Sequence, residues 1–491
     1  MHIRVVLRTL GAFAVILGCC MLAPMVVGLI YGELDSALSF ALSAGIAVVL
    51  GAVLILPLRS APKEIAQRDG IALVAFAWVL ACLLGALPFY LSGAMTSWTD
   101  AVFECASGFT TTGASILTDV ETVDHAILFW RALTHWLGGM GIIVLSITIL
   151  PLLGIGGMQL YRAEVPGPSA DKLTPRIAQT AKALWGVYAL LTVLEAGLLM
   201  LGGMNLFEAI CHAFATMATG GFSTRNGSIG DYGPFIQYVV SVFMVLAGIN
   251  FALHYLMLKG KFRRVLRDTE LRVYLAIFAL AVIFIWAGLW LTTTISVAQS
   301  FRLAVFQVPT ILSTTGFSTA DFGTWPSFLQ VFLLFLMFVG GSAGSTAGGM
   351  KVARFILLTK HAYQELFQLL HPRAVNPVKF GRRAVPRETM RGVWNFFFLY
   401  VALFVVSTVL LGIMLEPHLQ GETSAAMTTI SAAVASIGNI GPGLGLVGPG
   451  QNYAWMPSAA KWLLIALMLL GRLEIYTILI LLVPATWRRY V

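Results

Sequence analysis

Gly108-Phe109-Thr110-Thr111-Thr112-Gly113-Ala114-Ser115, Thr219-Gly220-Gly221-Phe222-Ser223-Thr224 and Thr314-Thr315-Gly316-Phe317-Ser318-Thr319 are three versions of one phrase. A looser fourth, Gly438-Asn439-Ile440-Gly441-Pro442-Gly443, follows later in the chain. Each is small, polar and glycine-bearing, and each lies between long apolar runs. Polar backbone at membrane depth is tolerated only where protein buries it or where it lines a watery cavity. Four such loops in one chain point to one pore, lined in quarters.

The surrounding composition sets the solvent. Of 491 residues, 58% are hydrophobic and 11% charged, with a mean hydropathy of +0.86, against about a quarter charged in a soluble protein. Apolar runs of 20 or more residues without alternation exclude a barrel and predict spanning helices. The five cysteines, Cys19, Cys20, Cys82, Cys105 and Cys211, show no metal-ligand spacing and read as small buried hydrophobes. Ile16-Leu17-Gly18-Cys19 matches a lipoprotein cleavage pattern, but the apolar run continues past it to Ile30, as a spanning helix would.

The net charge of +9 is a topology signal rather than a nucleic-acid footprint. Of the 31 Lys and Arg, 26 fall in segments 1–8, 59–70, 159–182, 259–272, 351–391 and 487–490. The alternate connections are acidic, as in Glu33, Asp35, Asp119, Glu121 and Asp124. This positive-inside asymmetry places both termini in the cytoplasm, and the basic loops are candidates for contact with anionic membrane lipids or a partner.

The spans then organise the chain. Two leading helices occupy 1–58, near 9–30 and 37–57. Four units of similar plan follow, at 59–158, 159–260, 261–372 and 373–491. Each has a spanning helix (near 71–93, 182–203, 271–295 and 391–415), then a half-length segment (near 97–110, 205–218, 298–313 and 422–437). Each continues with a polar loop and a second spanning helix (near 126–152, 234–258, 326–350 and 458–484). Half-length segments are too short to cross and read as re-entrant helices. Ten crossings return the C terminus to the side of the N terminus. The units run parallel, because each basic segment follows a second helix, so the predicted fold is all-α with a pseudo-fourfold pore.

The loops have the chemistry of an ion site. Aligned, they are Thr111-Thr112-Gly113, Thr219-Gly220-Gly221, Thr314-Thr315-Gly316 and Asn439-Ile440-Gly441, called loops 1 to 4 below. A dehydrated cation needs a cage of oxygens, which four rings of backbone carbonyls can supply. Glycine adopts the dihedrals this requires, and threonine adds hydroxyls that coordinate or brace. No ring of carboxylates sits at the apices, which suits a monovalent ion. Close packing of small residues between helices is the competing explanation for any single loop.

Two further features sit beneath these loops. Residues 340–349 contain five glycines, among Gly340, Gly341, Ser342, Gly344, Ser345, Thr346, Gly348 and Gly349. With a cost of roughly 1 kcal/mol per Gly relative to Ala, this stretch of the second helix in 261–372 is expected to unwind; a tight crossing of small residues is the alternative. Arg472, expected about halfway along the last spanning helix, must face the bundle interior or water. Glu474 is two positions away and does not share its face, so Arg472 needs another partner, either the carbonyls of 340–349 or a carboxylate on another helix. Lys351 is expected either to tether the loop or to mark the end of its helix. Glu195 and Glu474, inside spans, are read as paired structural carboxylates or as proton carriers of a symporter.

The loop sequences, Trp136-Leu137-Gly138-Gly139-Met140-Gly141, the 340–349 segment and Gly438–Gly443 together resemble the Trk/Ktr/HKT potassium-transport superfamily, with the TrkH/TrkG/TrkI-type membrane subunits most similar. The resemblance covers essentially the whole chain, including the two leading helices. It implies potassium uptake across a bacterial inner membrane, a homodimer, and control by a cytosolic TrkA-type subunit that binds NAD or ATP. It also implies an intramembrane gating loop at 340–349 and an Arg below the filter, here Arg472. In the plant branch a Ser at the first filter Gly marks sodium conduction; all four positions here are Gly, which favours potassium. No organic cofactor is expected in the chain, and nucleotide control is expected from a separate subunit.

Other classes fit poorly. Gly340-x-Ser342-x-Gly344 matches the serine-hydrolase elbow without its strand, His or acid. Gly443-x-Gly445-x-x-Gly448 matches a dinucleotide fingerprint without the βαβ context. The closer competitor is a proton- or sodium-coupled potassium symporter.

Overall fold

The computed structural model describes residues 2–59, 67–148, 173–374, 377–381, 383–484 and 487. The expected end of the helix near 126–152, and much of the basic stretches at 59–70, 159–182 and 487–490, lie outside the described residues. Helices α1 (Ile3–Cys20) and α2 (Leu22–Tyr31) form one leading span, and α3 (Leu34–Ile55) returns beside it. Cys19 is exposed and Cys20 half-buried at the end of α1, so the expectation that all five cysteines are buried holds only for Cys82, Cys105 and Cys211.

Thereafter long and short helices alternate. The chain runs through α4 (Gln67–Gly85), α5 (Leu87–Leu91), α6 (Trp98–Phe109), α7 (His125–Thr148), α8 (Leu173–Leu201), α9 (Leu206–Met217), α10 (Pro234–Ala247), α11 (Phe251–Leu258) and α12 (Phe262–Val265). It continues through α13 (Thr269–Thr292), α14 (Val297–Leu312), α15 (Ser327–Leu336), α16 (Val352–Leu370), α17 (Arg387–Leu419), α18 (Ala425–Ile437), α19 (Ser458–Arg472) and α20 (Tyr476–Leu482). Local chemistry starts several of them: the side chains of Asn205, Asp268 and Ser296 cap α9, α13 and α14 by accepting a backbone N–H of the first turn. A two-residue hairpin, β1 (Lys379–Phe380) with β2 (Arg383–Ala384), lies in the basic 351–391 stretch and is not signalled by the sequence pattern.

The half-length helices α6, α9, α14 and α18 are buried along most of their length. The long helices surround them and leave Leu42, Val49, Val193, Leu280, Val406 and Ile413 exposed, as a lipid-facing surface requires.

Three of the expected second helices are not continuous. Among the described residues seven helices are long and apolar enough to cross a membrane, and two bent pairs raise this to nine, against the ten expected. Helix α15 stops at Leu336, ahead of the predicted break. Helices α10 and α11 meet at 101° and α19 and α20 at 114°. Arg472 is thus the last residue of α19, not the middle of a straight helix. The first bend has a visible cause. Ser342 N–H donates to the Gly248 carbonyl (2.8 Å) and Phe251 N–H donates to the Gly344 carbonyl (3.1 Å), so the 340–349 segment takes over bonds that a continuous helix would make. At the second bend, Glu474 and Ile475 both adopt positive φ, 56° and 53°.

Candidate ion-conduction site

Each half-length helix ends in the same backbone device. The N–H of Thr111, Thr219, Thr314 and Asn439 donates to the carbonyl three residues back (Gly108, Thr216, Ile311 and Ser436). The next N–H, of Thr112, Gly220, Thr315 and Ile440, donates to the carbonyl five back (Ser107, Ala215, Thr310 and Ala435). This is a Schellman termination, in which a left-handed residue normally supplied by Gly or Asn ends the helix. Loop 4 uses Asn439 (φ 54°). Loops 1 to 3 use threonine, at φ 51°, 57° and 57°. A β-branched residue in this region costs about 1–2 kcal/mol, so three loops hold strained backbone where the sequence suggested that glycine alone bore the unusual dihedrals.

Two residues on, Gly113, Gly221, Gly316 and Gly441 are again left-handed, with φ between 82° and 96°. Alternating hand along three residues turns successive carbonyls to one side rather than to the opposite sides of an extended strand. The loops also close on one another. A Cβ on Gly113 would come inside 3.0 Å of the Gly220 carbonyl oxygen, one on Gly221 of that of Thr315, one on Gly316 of that of Ile440, and one on Gly441 of that of Thr112. The four loops are therefore cyclic neighbours in the order 1–2–3–4, with four equivalent carbonyls in one ring. Their outer ends share a cavity of about 140 Å³ lined by Gly113, Gly221, Gly316 and Pro442.

Side chains brace the ring unequally. Thr110 Oγ bonds Thr112 Oγ1 (2.7 Å), and Ser313 Oγ bonds Thr315 Oγ1 (2.7 Å). Asn439 Nδ2 donates to Thr112 Oγ1 (3.0 Å) and to the Met468 carbonyl (2.9 Å), tying loop 4 to loop 1 and to α19. Loop 2 departs from the Thr-Thr-Gly pattern because of a neighbour. A Cβ at Gly220 would collide with the His135 ring. That imidazole sits between Gly108 O (2.8 Å from Nδ1) and Phe222 N (3.3 Å from Nε2), an arrangement that fits the neutral tautomer protonated at Nδ1. Arg131 adds a second brace behind loops 1 and 2. It bonds Glu104 (2.7 Å), the Ser115 hydroxyl (3.1 Å) and the Ser223 carbonyl (3.2 Å). Further out, Asn226 donates to Asp119 (2.8 Å) and holds its carboxyl below the usual range. Arg131 and Arg225, which line the cavity at the outer ends of the loops, are each paired, with Glu104 and Glu208.

Below the ring lies the 340–349 segment. Gly348 N–H donates to Thr314 Oγ1 (2.6 Å) in loop 3, and Thr346 Oγ1 donates to the carbonyls of Met217 (3.0 Å) and Ala247 (3.3 Å). Side chains at Gly348 and Gly340 would strike the carbonyls of Gly438 and Gly348. The segment thus touches chain from beneath loops 2, 3 and 4. Ser345 folds back on the Ser342 carbonyl (2.6 Å), and Gly341 and Gly349 lie in the paired strand-like turn around Val339 and Met350. Lys351 Nζ donates to the Ala347 carbonyl, so its head group curls back onto the segment.

Arg472 reaches the same segment from the other side. Its Nη1 donates to Thr346 O (2.7 Å) and its Nη2 to Gly138 O (3.3 Å), with the residue 2% exposed. Its described partners are carbonyls, not a carboxylate. Glu474 pairs instead with Arg354 in the first turn of α16, whose guanidinium stacks on Phe396. The space bounded by Gly348, Arg472, Tyr400 and Glu474 amounts to about 10 Å³, room for one water at most.

Comparison with known proteins shows the family and the overall fold. The family model described as TrkH, cation transport protein, matches residues 38–488. The chain is 44% identical over 493 residues to the Trk system potassium uptake protein TrkH of Halomonas elongata, covering all of both chains. It is 43% identical to the Trk system potassium uptake protein TrkH of Escherichia coli K12, covering 99% of this chain and 100% of that one. The crystal structure of the potassium transporter TrkH from Vibrio parahaemolyticus superposes with a TM-score of 0.89 at 39% identity, over 99% of this chain and 100% of that one. The chain is a multi-pass membrane transport protein, not an enzyme, and it belongs to the TrkH cation transport family.

Proposed function

We propose that this chain is the potassium-translocating membrane subunit of a bacterial Trk-type uptake system. It conducts through a four-loop carbonyl filter and is closed by the 340–349 loop and Arg472. The observation that carries the reading is the cyclic abutment of the four loops, which brings the carbonyls of Thr112, Gly220, Thr315 and Ile440 into one ring. Such a ring replaces the hydration shell of a monovalent cation. The four helices behind it direct the negative ends of their dipoles inward, each equivalent to about half an elementary charge. Strain in Thr111, Thr219 and Thr314 is part of the device, since over-determined backbone presents oxygens that need no rearrangement when the ion arrives. The identity of the ion rests on the relatives, all of them potassium-uptake proteins by name.

The four units of helix, re-entrant helix, loop and helix around a pseudo-fourfold axis belong to this proposal, as do cytoplasmic termini, the bacterial inner membrane, a homodimer and contact with membrane lipids. Control by a cytosolic nucleotide-binding subunit of the TrkA type fits the course of the chain: α16 leaves the 340–349 loop directly and leads into the basic 351–391 stretch. A partner pulling on that stretch would move the loop.

The second reading is a proton- or sodium-coupled symporter. Glu195 in α8 favours it, being fully buried with the Thr216 hydroxyl as its polar neighbour and no ion pair among the described residues. Reversal potentials in proteoliposomes separate the two. The channel reading expects the reversal potential to follow the potassium gradient alone. A shift when a pH or sodium gradient is imposed at fixed potassium contradicts it and favours coupling.

A further inference from the structure

Helix α16 begins without a cap of its own. Its N-cap residue Lys351 makes no side-chain capping bond, since an ammonium group has no acceptor to offer a backbone N–H, and it donates to the Ala347 carbonyl instead. The first-turn N–H groups of any helix still need acceptors, and an anion at that end is favoured by the helix dipole. Glu270, in the first turn of α13, supplies one. Its Oε1 accepts the N–H of Ala353 (3.1 Å) in α16 and the N–H of Ala343 (2.8 Å) inside the 340–349 loop. Glu270 is 8% exposed. The cations nearest the loop are committed elsewhere, Lys351 to Ala347, Arg354 to Glu474 and Arg472 to Thr346. Its own turn is fixed by Asp268, which accepts the Leu271 N–H at 2.8 Å. One carboxylate oxygen on a capped helix end therefore joins a point within the loop to the helix that leaves it.

We propose that Glu270 is a positioning residue that brackets the 340–349 loop in its closed course. A movement of the loop that separates Ala343 from Ala353, or carries both away from α13, breaks at least one of the two bonds to this buried acceptor. Because α13 follows the basic connection from Lys259 to Arg267, the bracket also links the loop to a second cytoplasmic-side segment, besides 351–391. The inference rests on the reading of 340–349 as the gate.

The test compares Glu270→Ala, Glu270→Asp and Glu270→Gln with Arg472→Ala and the parent, each reconstituted without a cytosolic partner, by rubidium flux. Alanine removes the acceptor and aspartate withdraws it by one methylene, so both are expected to raise partner-free flux by about tenfold. Glutamine keeps a carbonyl acceptor at the same reach and is expected to stay within about threefold of the parent. The rubidium-to-sodium preference is expected to be unchanged in all three, which a general loosening of the fold would not preserve. Parent-level flux in Glu270→Ala and Glu270→Asp, while Arg472→Ala leaks, overturns the bracket and leaves the gate reading standing. Parent-level flux in all of these, Arg472→Ala included, overturns the gate reading and the bracket with it. Should Glu270→Ala not fold, the remaining pair decides: aspartate leaky with glutamine tight supports the bracket, and aspartate tight with glutamine leaky shows that charge alone acts and overturns it.

Discussion

Arg472→Ala is expected to conduct potassium without any cytosolic partner, with flux at least thirtyfold above the parent. Two effects combine. Were a cation to pass a buried guanidinium at a separation of about 8 Å, with an effective dielectric of about 20, the repulsion would be about 2 kcal/mol, or roughly thirtyfold in rate. The same side chain also clamps the loop, through Thr346 O at 2.7 Å, to Gly138 O at 3.3 Å on α7. Alanine removes the charge and leaves both buried carbonyls without that donor, which favours their turning toward water in the pathway. Arg472→Lys keeps the charge but replaces the planar fork with a point donor, so an intermediate leak is expected. Flux measured in proteoliposomes at or below the parent level in Arg472→Ala would refute the role of this residue as a barrier.

Gly113→Ser is expected to reduce the preference for potassium over sodium by tenfold or more. Gly113 has φ +82°, and an added Cβ would come inside 3.0 Å of the Gly220 carbonyl oxygen. The backbone would have to shift, and the carbonyl that must shift with it is one of the four in the ring. Gly93→Ser serves as the control. Gly93 is also left-handed, at φ +75°, but nothing lies within 4 Å of its Cβ position. It incurs the conformational cost of about 1–2 kcal/mol and is expected to leave selectivity intact. Bi-ionic reversal potentials read both. Full potassium preference in Gly113→Ser, or equal loss in both variants, would mean that ring geometry does not set selectivity.

Much of this arrangement is written locally. The half-length helices are legible because an apolar run too short to cross a membrane, followed by Thr-x-Gly, has few other uses. The 340–349 segment is legible because five glycines in ten residues cannot sustain a helix against solvent or lipid. What stays hidden is set by distant partners. Gly248 and the Asn250 cap beside Ala247 signal a break, but the 101° turn of the chain there rests on bonds with Ser342 and Gly344, about a hundred residues on. The run Leu-Leu-Gly-Arg-Leu-Glu-Ile-Tyr reads as uninterrupted helix, yet it turns where Arg472 and Glu474 find separate partners on the loop and on α16. Gly220 looks like a lapse from the Thr-Thr-Gly pattern until His135 occupies the space its side chain would need. Glu270 reads as one more acid beside a basic turn, and only its two amide donors distinguish it. The identity of the ion comes from relatives rather than from spacing, since carbonyl rings favour monovalent cations without naming one.

On the proposed reading the four loops hold one cation site between them. Anomalous diffraction from crystals soaked in thallium or rubidium tests it directly. The expected result is a peak on the axis shared by the loops, within reach of the carbonyls of Thr112, Gly220, Thr315 and Ile440 and on the side of the ring away from or level with loop residue Gly348. An empty ring, with the heavy cation instead at the Arg354–Glu474 junction or between outer helices, would contradict it.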